Sequence, residues 1–213
     1  MIVDIGALVI AYLIGSIPTA YLVTRSRTGQ DIRQVGEGSA GARNVWHVAG
    51  RGWGVLVGVL DISKGFVAYH VTRSLGASQA ALLLSSFAVV LGHNFPFLRW
   101  KQGGKGVAAT LGFLLGLLPR STALGIAIAA LAQLWLRDVN RSIVVVCVSL
   151  VLLPLAFGEP LLMSVYVVAL MLTMALQKVI DLTHERGVFA RSGWSDGATP
   201  GFFGNGKEAG GGK

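Results

Sequence analysis

The chain has 213 residues, of which 53% are hydrophobic and only 13% are charged. This balance is atypical of a soluble domain and indicates a protein whose natural solvent is a lipid bilayer. The net charge of +8 is compatible with nucleic-acid binding, but basic residues beside apolar spans are also what membrane topology produces, so we expect no nucleic-acid partner. The single cysteine, Cys147, allows no intramolecular disulfide.

Seven apolar stretches follow one another along the chain, each near the roughly 20 residues that cross a 30 Å hydrocarbon layer as a helix. They cover residues 2–24, 52–72, 78–98, 106–118, 121–136, 143–158 and 160–177. The fourth to sixth stretches are short, and a count of six helices is the alternative. The sequence therefore predicts an all-α, polytopic transmembrane helix bundle at 1–192 with about seven helices, followed by a disordered Gly-rich tail at 193–213.

The basic residues predict the orientation of this bundle. With the N-terminus outside, nearly all of the 18 Lys and Arg residues fall in the inner connections and the tail. Only Arg73 and Arg120 lie outside, and Lys64 lies within the second span. Because Lys and Arg collect in cytoplasmic loops, we predict that the C-terminus is cytoplasmic. The first span has no basic segment before it, so we expect it to stay in the mature protein.

A polar, glycine-rich connection follows the first span, at residues 29–46. Gly36, Gly38 and Gly41 allow the backbone to adopt positive φ and to turn N–H groups toward an anion. A helix that follows adds the positive end of its dipole. The same spacing also fits a flexible surface loop, so the residues by themselves leave both interpretations open.

A second polar connection, at residues 92–110, contains Gly103, Gly104, Lys105 and Gly106 directly before an apolar helix. Backbone amides, an ammonium group and a helix dipole can there converge on one phosphate. The segment is not a nucleotide-binding P-loop, because Arg99 stands where that motif begins with glycine and no Ser or Thr follows Lys105. The alternative role for Lys105 is that of a cytoplasmic charge anchor.

Two ionisable residues, Asp61 and Lys64, lie three positions apart within the second span and can pair on one helix face. They form either a structural ion pair that closes the bottom of a site or part of its chemistry. His93 lies at a predicted membrane edge, where a base or a hydrogen-bonded structural group is possible. No second ligand at metal spacing accompanies it, so we expect no metal site.

In combination, these segments resemble the bacterial acyl-phosphate:glycerol-3-phosphate acyltransferases. The matching motifs are YLIGSIPTAYL at 12–22, DIR at 31–33, the glycine loop through Asn44, DISKG at 61–65, GHNFP at 92–96 and GGKGVA at 103–108. They lie in family order over about residues 8–112, while the apolar second half agrees in topology only. The set of motifs is far more specific than any one of them.

The resemblance implies an enzyme of phospholipid synthesis in the bacterial plasma (inner) membrane, with its active site on the cytoplasmic side. Its partners would be acyl phosphate, glycerol 3-phosphate and membrane lipid. It would move the acyl group to the 1-hydroxyl of glycerol 3-phosphate and give lysophosphatidic acid, without a cofactor. Because acyl phosphate is an activated anhydride, phosphate binding and alignment of the hydroxyl suffice for much of the catalysis.

Site residues follow from the same resemblance. Lys105 and the backbone around it would hold a phosphate, Asn44 would orient a polar substrate group, and His93 would support the second loop. The candidate catalytic residues are Asn44, Arg43, His93 and Lys105, and the candidate substrate-binding residues are Gly36, Gly38, Ser39, Gly41, Gly103, Gly104 and Gly106.

The glycine loop departs from the family's G-S-G-N-x-G-A-T-N-x-x-R at four positions. Glu37 replaces its serine, Ser39 its asparagine, Arg43 its threonine and His47 its arginine. Arg43, one helical turn before His47, is placed to supply the missing guanidinium. A carboxylate at Glu37 would repel phosphate unless it is paired or protonated. The family's closing Asn and Glu motif is not recognisable, and Glu185 is a candidate for its remnant.

These departures keep two further hypotheses in view. One is a divergent or inactive relative with a different acceptor, since a scaffold can persist while its substrate contacts change. The other is a small-solute membrane transporter built on discontinuous helices with intramembrane charges. The sequence has no internal repeat of corresponding broken segments, which disfavours the transporter.

Overall fold

The computed structural model describes residues 1–97 and 103–192, and every regular element in those ranges is a helix. The elements are α1 (Ile2–Gly15), α2 (Thr19–Thr28), a 3-10 turn (Ile32–Gln34), α3 (Ala42–Val48), α4 (Arg51–Ser74), α5 (Gln79–Asn94), α6 (Val107–Leu117), α7 (Pro119–Leu136), α8 (Val139–Ala156) and α9 (Leu161–Ser192). The all-α prediction is confirmed. The tail predicted at 193–213 lies outside the described residues.

Each predicted span corresponds to a helix, with two differences. The first is divided into α1 and α2, and the last was expected to end at residue 177, whereas α9 continues to Ser192. Segments 2–28, 51–74, 139–156 and 161–188 are long and apolar enough to cross a membrane, and α5 and α6 are shorter apolar helices. Large apolar side chains such as Leu131 and Trp135 are exposed on the outer surface, as expected for a lipid-facing bundle.

The break between α1 and α2 is built around Pro18, which has no N–H to continue the helix. Lys64 on α4 donates Nζ–H to the Ile17 carbonyl (2.6 Å) and contacts Thr19 Oγ1 at 3.1 Å. Asp61 Oδ1 lies 2.7 Å from Lys64 Nζ and accepts a hydrogen bond from Thr19 (2.6 Å). Both charged side chains are buried, and in this structure the pair joins α4 to the break through the Ile17 carbonyl and the Thr19 hydroxyl.

Glycines bring neighbouring helices into backbone contact. A methyl group on Gly65 of α4 would lie 1.9 Å from the Ala109 carbonyl oxygen of α6, and one on Gly112 of α6 would lie 1.8 Å from the Ile62 carbonyl oxygen. Helix α1 meets α5 in the same way, at Gly15. Such contacts are typical of membrane bundles, in which small residues rather than the hydrophobic effect allow helices to associate.

We expect Gly65→Ala to lower the thermal unfolding temperature of the detergent-solubilised protein. The added methyl overlaps backbone that cannot retreat unless α4 and α6 separate, and overpacking of this kind costs about 1–3 kcal/mol. Gly52→Ala in the same helix is the matched control, because nothing lies within 4 Å of the added methyl. Equal unfolding temperatures for the two variants would contradict the close α4–α6 packing.

The polar connections meet at one end of the bundle. Arg43 on α3 donates Nη1–H to Asn140 Oδ1 at the start of α8 (3.0 Å). At the other end of α1 and α4, the Ser78 N–H donates to Asp4 Oδ1 (2.8 Å). The connections that the basic residues place on one side of the membrane are therefore neighbours in space.

Candidate active site

Asn44 holds the glycine loop in shape. Its side chain is fully buried, and Nδ2 lies within 3.0 Å of the carbonyl oxygens of Ile32, Val35 and Ser39. Its Oδ1 accepts a hydrogen bond from the Glu37 N–H (2.9 Å). The loop backbone occupies the whole amide, which gives Asn44 the geometry of a positioning residue rather than of one that contacts substrate directly.

Two of the loop glycines are required by local geometry. Gly36 has φ +58°, and a methyl on it would lie 2.2 Å from Asn44 Oδ1. Gly38 has φ +71°, and a methyl there would lie 2.9 Å from Val188 Cβ on α9. Gly41, which precedes α3, has open space around it. Positive φ and close contacts thus require glycine at two of the three predicted positions. At Gly38, the absence of a side chain allows α9 to pack against the loop.

Glu37 is paired, which was the condition for tolerating a carboxylate at this position. Its Oε1 lies 2.8 Å from Arg43 Nε and 3.6 Å from His47 Nε2. No N–H points along a hydrogen-bond direction to that oxygen, so the contact with Arg43 is ionic. Burial lowers the pKa of His47, against the opposite influence of Glu37. Arg43 is therefore committed to Glu37 and Asn140 in this structure.

The second loop packs directly on the end of α5. Gly103 N–H donates to the Asn94 carbonyl (2.9 Å) and Gly104 N–H to the His93 carbonyl (3.3 Å). These two amides already have protein acceptors, so they bind an anion only if that turn opens. Gly106 has φ +82° and precedes α6, where the left-handed conformation favours glycine.

His93 lies beneath the second loop. It is buried, its Nδ1 is 3.9 Å from Asp61 Oδ1, and a methyl on Gly104 would lie 2.1 Å from its Nε2. The ring therefore fills the space that the missing side chain of Gly104 leaves. The role predicted for His93, which is to support the loop, stays a prediction.

Lys105 meets α9 at Glu185. Its Nζ lies 2.9 Å from Glu185 Oε1, and Lys178 Nζ lies near the other oxygen of the same carboxylate. Burial lowers the pKa of Lys105, while the charges of Glu185 and, more weakly, Glu37 act to raise it. Lys105 is thus a partly desolvated cation paired with Glu185, at the point where the second loop meets α9.

Helix α9 supplies polar groups that the motif comparison did not align. Gln177, Asp181 and Glu185 recur every four residues on one buried face, and Gln177 Nε2 donates to Asp181 Oδ2 (2.8 Å). The signal for them in the sequence was this four-residue spacing, which begins at the end of the apolar part of the helix and continues into its polar part. Glu185 contacts Lys105, and its correspondence to the family's closing motif stays a prediction.

A small cleft separates the α1–α2 break from the two loops. About 20 Å³ of it is open, which is room for little more than one water molecule. Arg33, Lys64, His93 and Gly104 are among its lining residues. Both cations have carboxylate partners, since Arg33 pairs with Asp31 and Lys64 with Asp61.

In the described ranges, no three His, Cys, Asp or Glu side chains come close enough together to hold a metal ion. The polar groups that converge at this end of the bundle are cations, amides and carboxylates. They are suited to binding and aligning anionic substrates.

Known proteins resemble this chain over most of its length. The family model described as glycerol-3-phosphate acyltransferase matches residues 5–186. The glycerol-3-phosphate acyltransferase of Syntrophomonas wolfei is 38% identical over 74% of this chain and 80% of its own length. That of Thermus thermophilus is 39% identical over 88% of this chain and 91% of its own length.

Solved structures share the fold. The crystal structure of PlsY (YgiH), an integral membrane glycerol 3-phosphate acyltransferase, in its glycerol 3-phosphate form is 31% identical with a TM-score of 0.72. The lysophosphatidic acid form is 28% identical with a TM-score of 0.69, and in both cases the match covers 86% of this chain and 93% of the other. This chain is an integral membrane protein and belongs to the glycerol-3-phosphate acyltransferase family.

Proposed function

We propose that this protein transfers a fatty acyl group from acyl phosphate to the 1-hydroxyl of glycerol 3-phosphate, which yields lysophosphatidic acid and inorganic phosphate. The observation that carries the proposal is the meeting of the glycine loop, the second loop and Lys105 at one end of the bundle, against α9. The relatives named above are glycerol-3-phosphate acyltransferases, and one related structure is the lysophosphatidic acid form of such an enzyme.

The protein itself takes part in little of the covalent chemistry of this reaction. The hydroxyl oxygen forms a bond to the acyl carbon, the bond from that carbon to the phosphate oxygen breaks, and phosphate leaves with the electron pair. The hydroxyl proton ends on the released phosphate. Positioning of the two substrates and stabilisation of phosphate charge by fixed cations can therefore supply much of the rate.

Lys105 is the cation best placed for the phosphate. It is partly buried, with 31% of its side chain exposed, and its partner Glu185 also contacts Lys178. If Lys105 exchanges Glu185 for a substrate phosphate, Glu185 stays paired with Lys178 through its other oxygen. No carboxylate is then left without a cation. Glu37 in turn stays neutralised by Arg43. This arrangement makes the departures in the glycine loop compatible with an anionic substrate.

The proposal is tested with purified protein in detergent, hexadecanoyl phosphate and labelled glycerol 3-phosphate. We expect labelled lysophosphatidic acid and inorganic phosphate in equal amounts. Phosphate release without labelled lipid would indicate hydrolysis or another acceptor. A folded protein that releases neither product would contradict the proposal.

We further propose that this end of the bundle faces the cytoplasm of a bacterial cell, across the plasma (inner) membrane. The support is the concentration of Lys and Arg in the connections that meet there. In intact cells, single cysteines introduced at Ser26 and Ser74 in a Cys147→Ser background should differ in labelling by a membrane-impermeant maleimide. We expect labelling at residue 74 only, and the reverse pattern would contradict the orientation.

A further inference from the structure

Two arginine–tryptophan pairs lie where α2 and α3 meet the first turn of α4. Arg27 Cζ, near the end of α2, is 4.7 Å from the centre of the Trp53 ring of α4. Arg51 Cζ, at the start of α4, is 5.9 Å from the centre of the Trp46 ring of α3. Both arginines are exposed, and both distances are within the range in which a cation is attracted to an aromatic face.

The positive charges of Arg27 and Arg51 have no carboxylate partner among the described residues. The carboxylates near the polar connections are already in contact with other cations, in the pairs Asp31–Arg33, Glu37–Arg43, Asp138–Arg141 and Glu185–Lys105. Stacking on tryptophan orients a guanidinium but leaves its charge in place. The two pairs are therefore suited to an anion that comes from outside the protein.

The lipid-facing surface of α4 begins directly beside these pairs. Its first turns expose the apolar side chains of Val55, Leu56, Val59 and Leu60. At about 100° per residue, Arg51 and Trp53 fall on opposite edges of this exposed face, with Gly52 between them. A methyl on Gly52 would meet nothing within 4 Å. The two pairs thus bracket an open position where the lipid-facing surface ends, which is the depth of the lipid headgroups.

The same residues hold the two ends of the glycine loop against α4. Arg27 lies two positions before Gly29, the residue that ends α2, and Trp46 lies on α3, which follows the loop. Trp46 packs closely on α4, since a methyl on Gly54 would lie 2.5 Å from its Cβ. An anion held by both arginines would therefore restrain the helices on either side of the loop.

We propose that the two arginine–tryptophan pairs bind the phosphate headgroup of an anionic phospholipid, whose chains lie along the exposed face of α4. Charge complementarity selects this occupant, because an anionic headgroup brings no cation of its own to the two guanidinium groups. The site uses none of the residues assigned to the substrates, so the inference does not depend on acyl transfer. The bound lipid should also make the glycine loop open less often.

Binding is measured by native mass spectrometry of the detergent-purified protein with equal amounts of phosphatidylglycerol and phosphatidylcholine of the same chains. We expect at least about tenfold more phosphatidylglycerol to be retained, and the double variant Arg27→Gln with Arg51→Gln should lose this preference. Equal retention of the two lipids by the wild-type protein would overturn the proposal and would favour an acidic soluble protein as the occupant.

The double variant Arg141→Gln with Arg186→Gln is the matched control. It removes the same charge at the same end of the bundle, from two exposed arginines that lie outside the site. We expect it to keep the preference for phosphatidylglycerol. A similar loss in both double variants would mean that overall charge sets the lipid preference, and would overturn the proposal.

A carboxylate between the two arginines tests the position of the headgroup. Gly52→Glu adds this charge, and Gly52→Gln adds nearly the same volume without it. Both variants should fold, because the space beside Gly52 is open and an acidic side chain in the first turn of a helix is favourable. We expect phosphatidylglycerol to bind about tenfold more weakly to Gly52→Glu than to Gly52→Gln. Equal affinities would overturn the proposal.

A third comparison separates this site from the substrate site. Lys105→Met removes the cation proposed for the substrate phosphate and should keep the preference for phosphatidylglycerol. Loss of the preference there would place the lipid at the substrate site and would overturn the proposal. Because the readout is lipid retention, a preference that depends on Arg27 and Arg51 supports this inference even if no acyl transfer is observed.

Proteolysis tests the restraint on the glycine loop. Cleavage within residues 36–41 should be slower in nanodiscs of phosphatidylglycerol than in nanodiscs of phosphatidylcholine. The difference should disappear in the double variant Arg27→Gln with Arg51→Gln. Equal cleavage of the wild-type protein in the two lipids would overturn the link between the headgroup and the loop.

Discussion

Lys105→Met is expected to reduce kcat/KM for acyl transfer by about 10²–10³-fold, the usual cost of removing one preorganised charge donor from a transition state. Methionine keeps most of the volume of the lysine stem but provides no cation for phosphate. Glu185 stays paired with Lys178 in the variant, so the fold should tolerate the change. Lysophosphatidic acid formation and thermal unfolding are measured on the same preparation.

Lys178→Met is the matched control, because it removes the other cation that contacts Glu185. Its side chain is more exposed (48%, against 31% for Lys105), so we expect a loss well below that of Lys105→Met. Similar losses in both variants would mean that the charge balance at Glu185, and not phosphate binding by Lys105, sets the activity.

The same lysine predicts a pH dependence. Burial lowers the pKa of Lys105 from the ordinary value of 10.5, and a cation with a lowered pKa loses its charge as pH rises through that value. Activity should therefore fall on the alkaline side, at a pH below the titration of an ordinary lysine. In Lys105→Arg the guanidinium stays protonated, so the residual activity should lack this alkaline loss. An unchanged alkaline limb in Lys105→Arg would assign the titration to another group.

Asn44→Asp is expected to disorder the glycine loop and abolish acyl transfer. The carboxylate still accepts a hydrogen bond from the Glu37 N–H. It cannot donate the hydrogen bonds that the amide gives to the three loop carbonyls. It also faces those oxygens with a negative charge. Each unsatisfied buried group costs about 1–3 kcal/mol, which is enough to open a loop. Limited proteolysis within residues 36–41 should become faster, and the unfolding temperature should fall.

Asn140→Asp provides the control for Asn44→Asp. Its side chain is exposed, and its Oδ1 accepts from Arg43. The substitution keeps that acceptor and adds a charge opposite to that of Arg43, so we expect nearly wild-type activity and loop protection. If Asn44→Asp were as benign as Asn140→Asp, the loop would not depend on the buried amide.

Much of the fold could be predicted from the sequence, because the bilayer imposes its requirements locally. Apolar segments of sufficient length must be helices that satisfy their own backbone groups. Hydropathy predicted the first span as one stretch, and Pro18 divides it because proline lacks an N–H. The end of α9 could not be predicted in this way, because residues 178–192 are polar and are helical while packing against the glycine loop through Val188.

The candidate site was predicted in part. The two glycine loops and Lys105 could be located from motifs, but motif position did not reveal what each side chain contacts. Asn44 points into its own loop, and Glu37 is neutralised by Arg43. Both contacts depend on how residues 32–47 fold back on themselves. The spacing of residues within a motif does not determine that conformation.

The sequence by itself determined that this protein is a helical membrane protein with two polar, glycine-rich connections, because hydropathy and glycine placement act over a few residues. Only the tertiary structure decided which charges compensate one another. Lys105 and Glu185 are 80 positions apart but are an ion pair in space. The physical reason is that burial and pairing of charges depend on helix packing across the bundle, which no local pattern specifies.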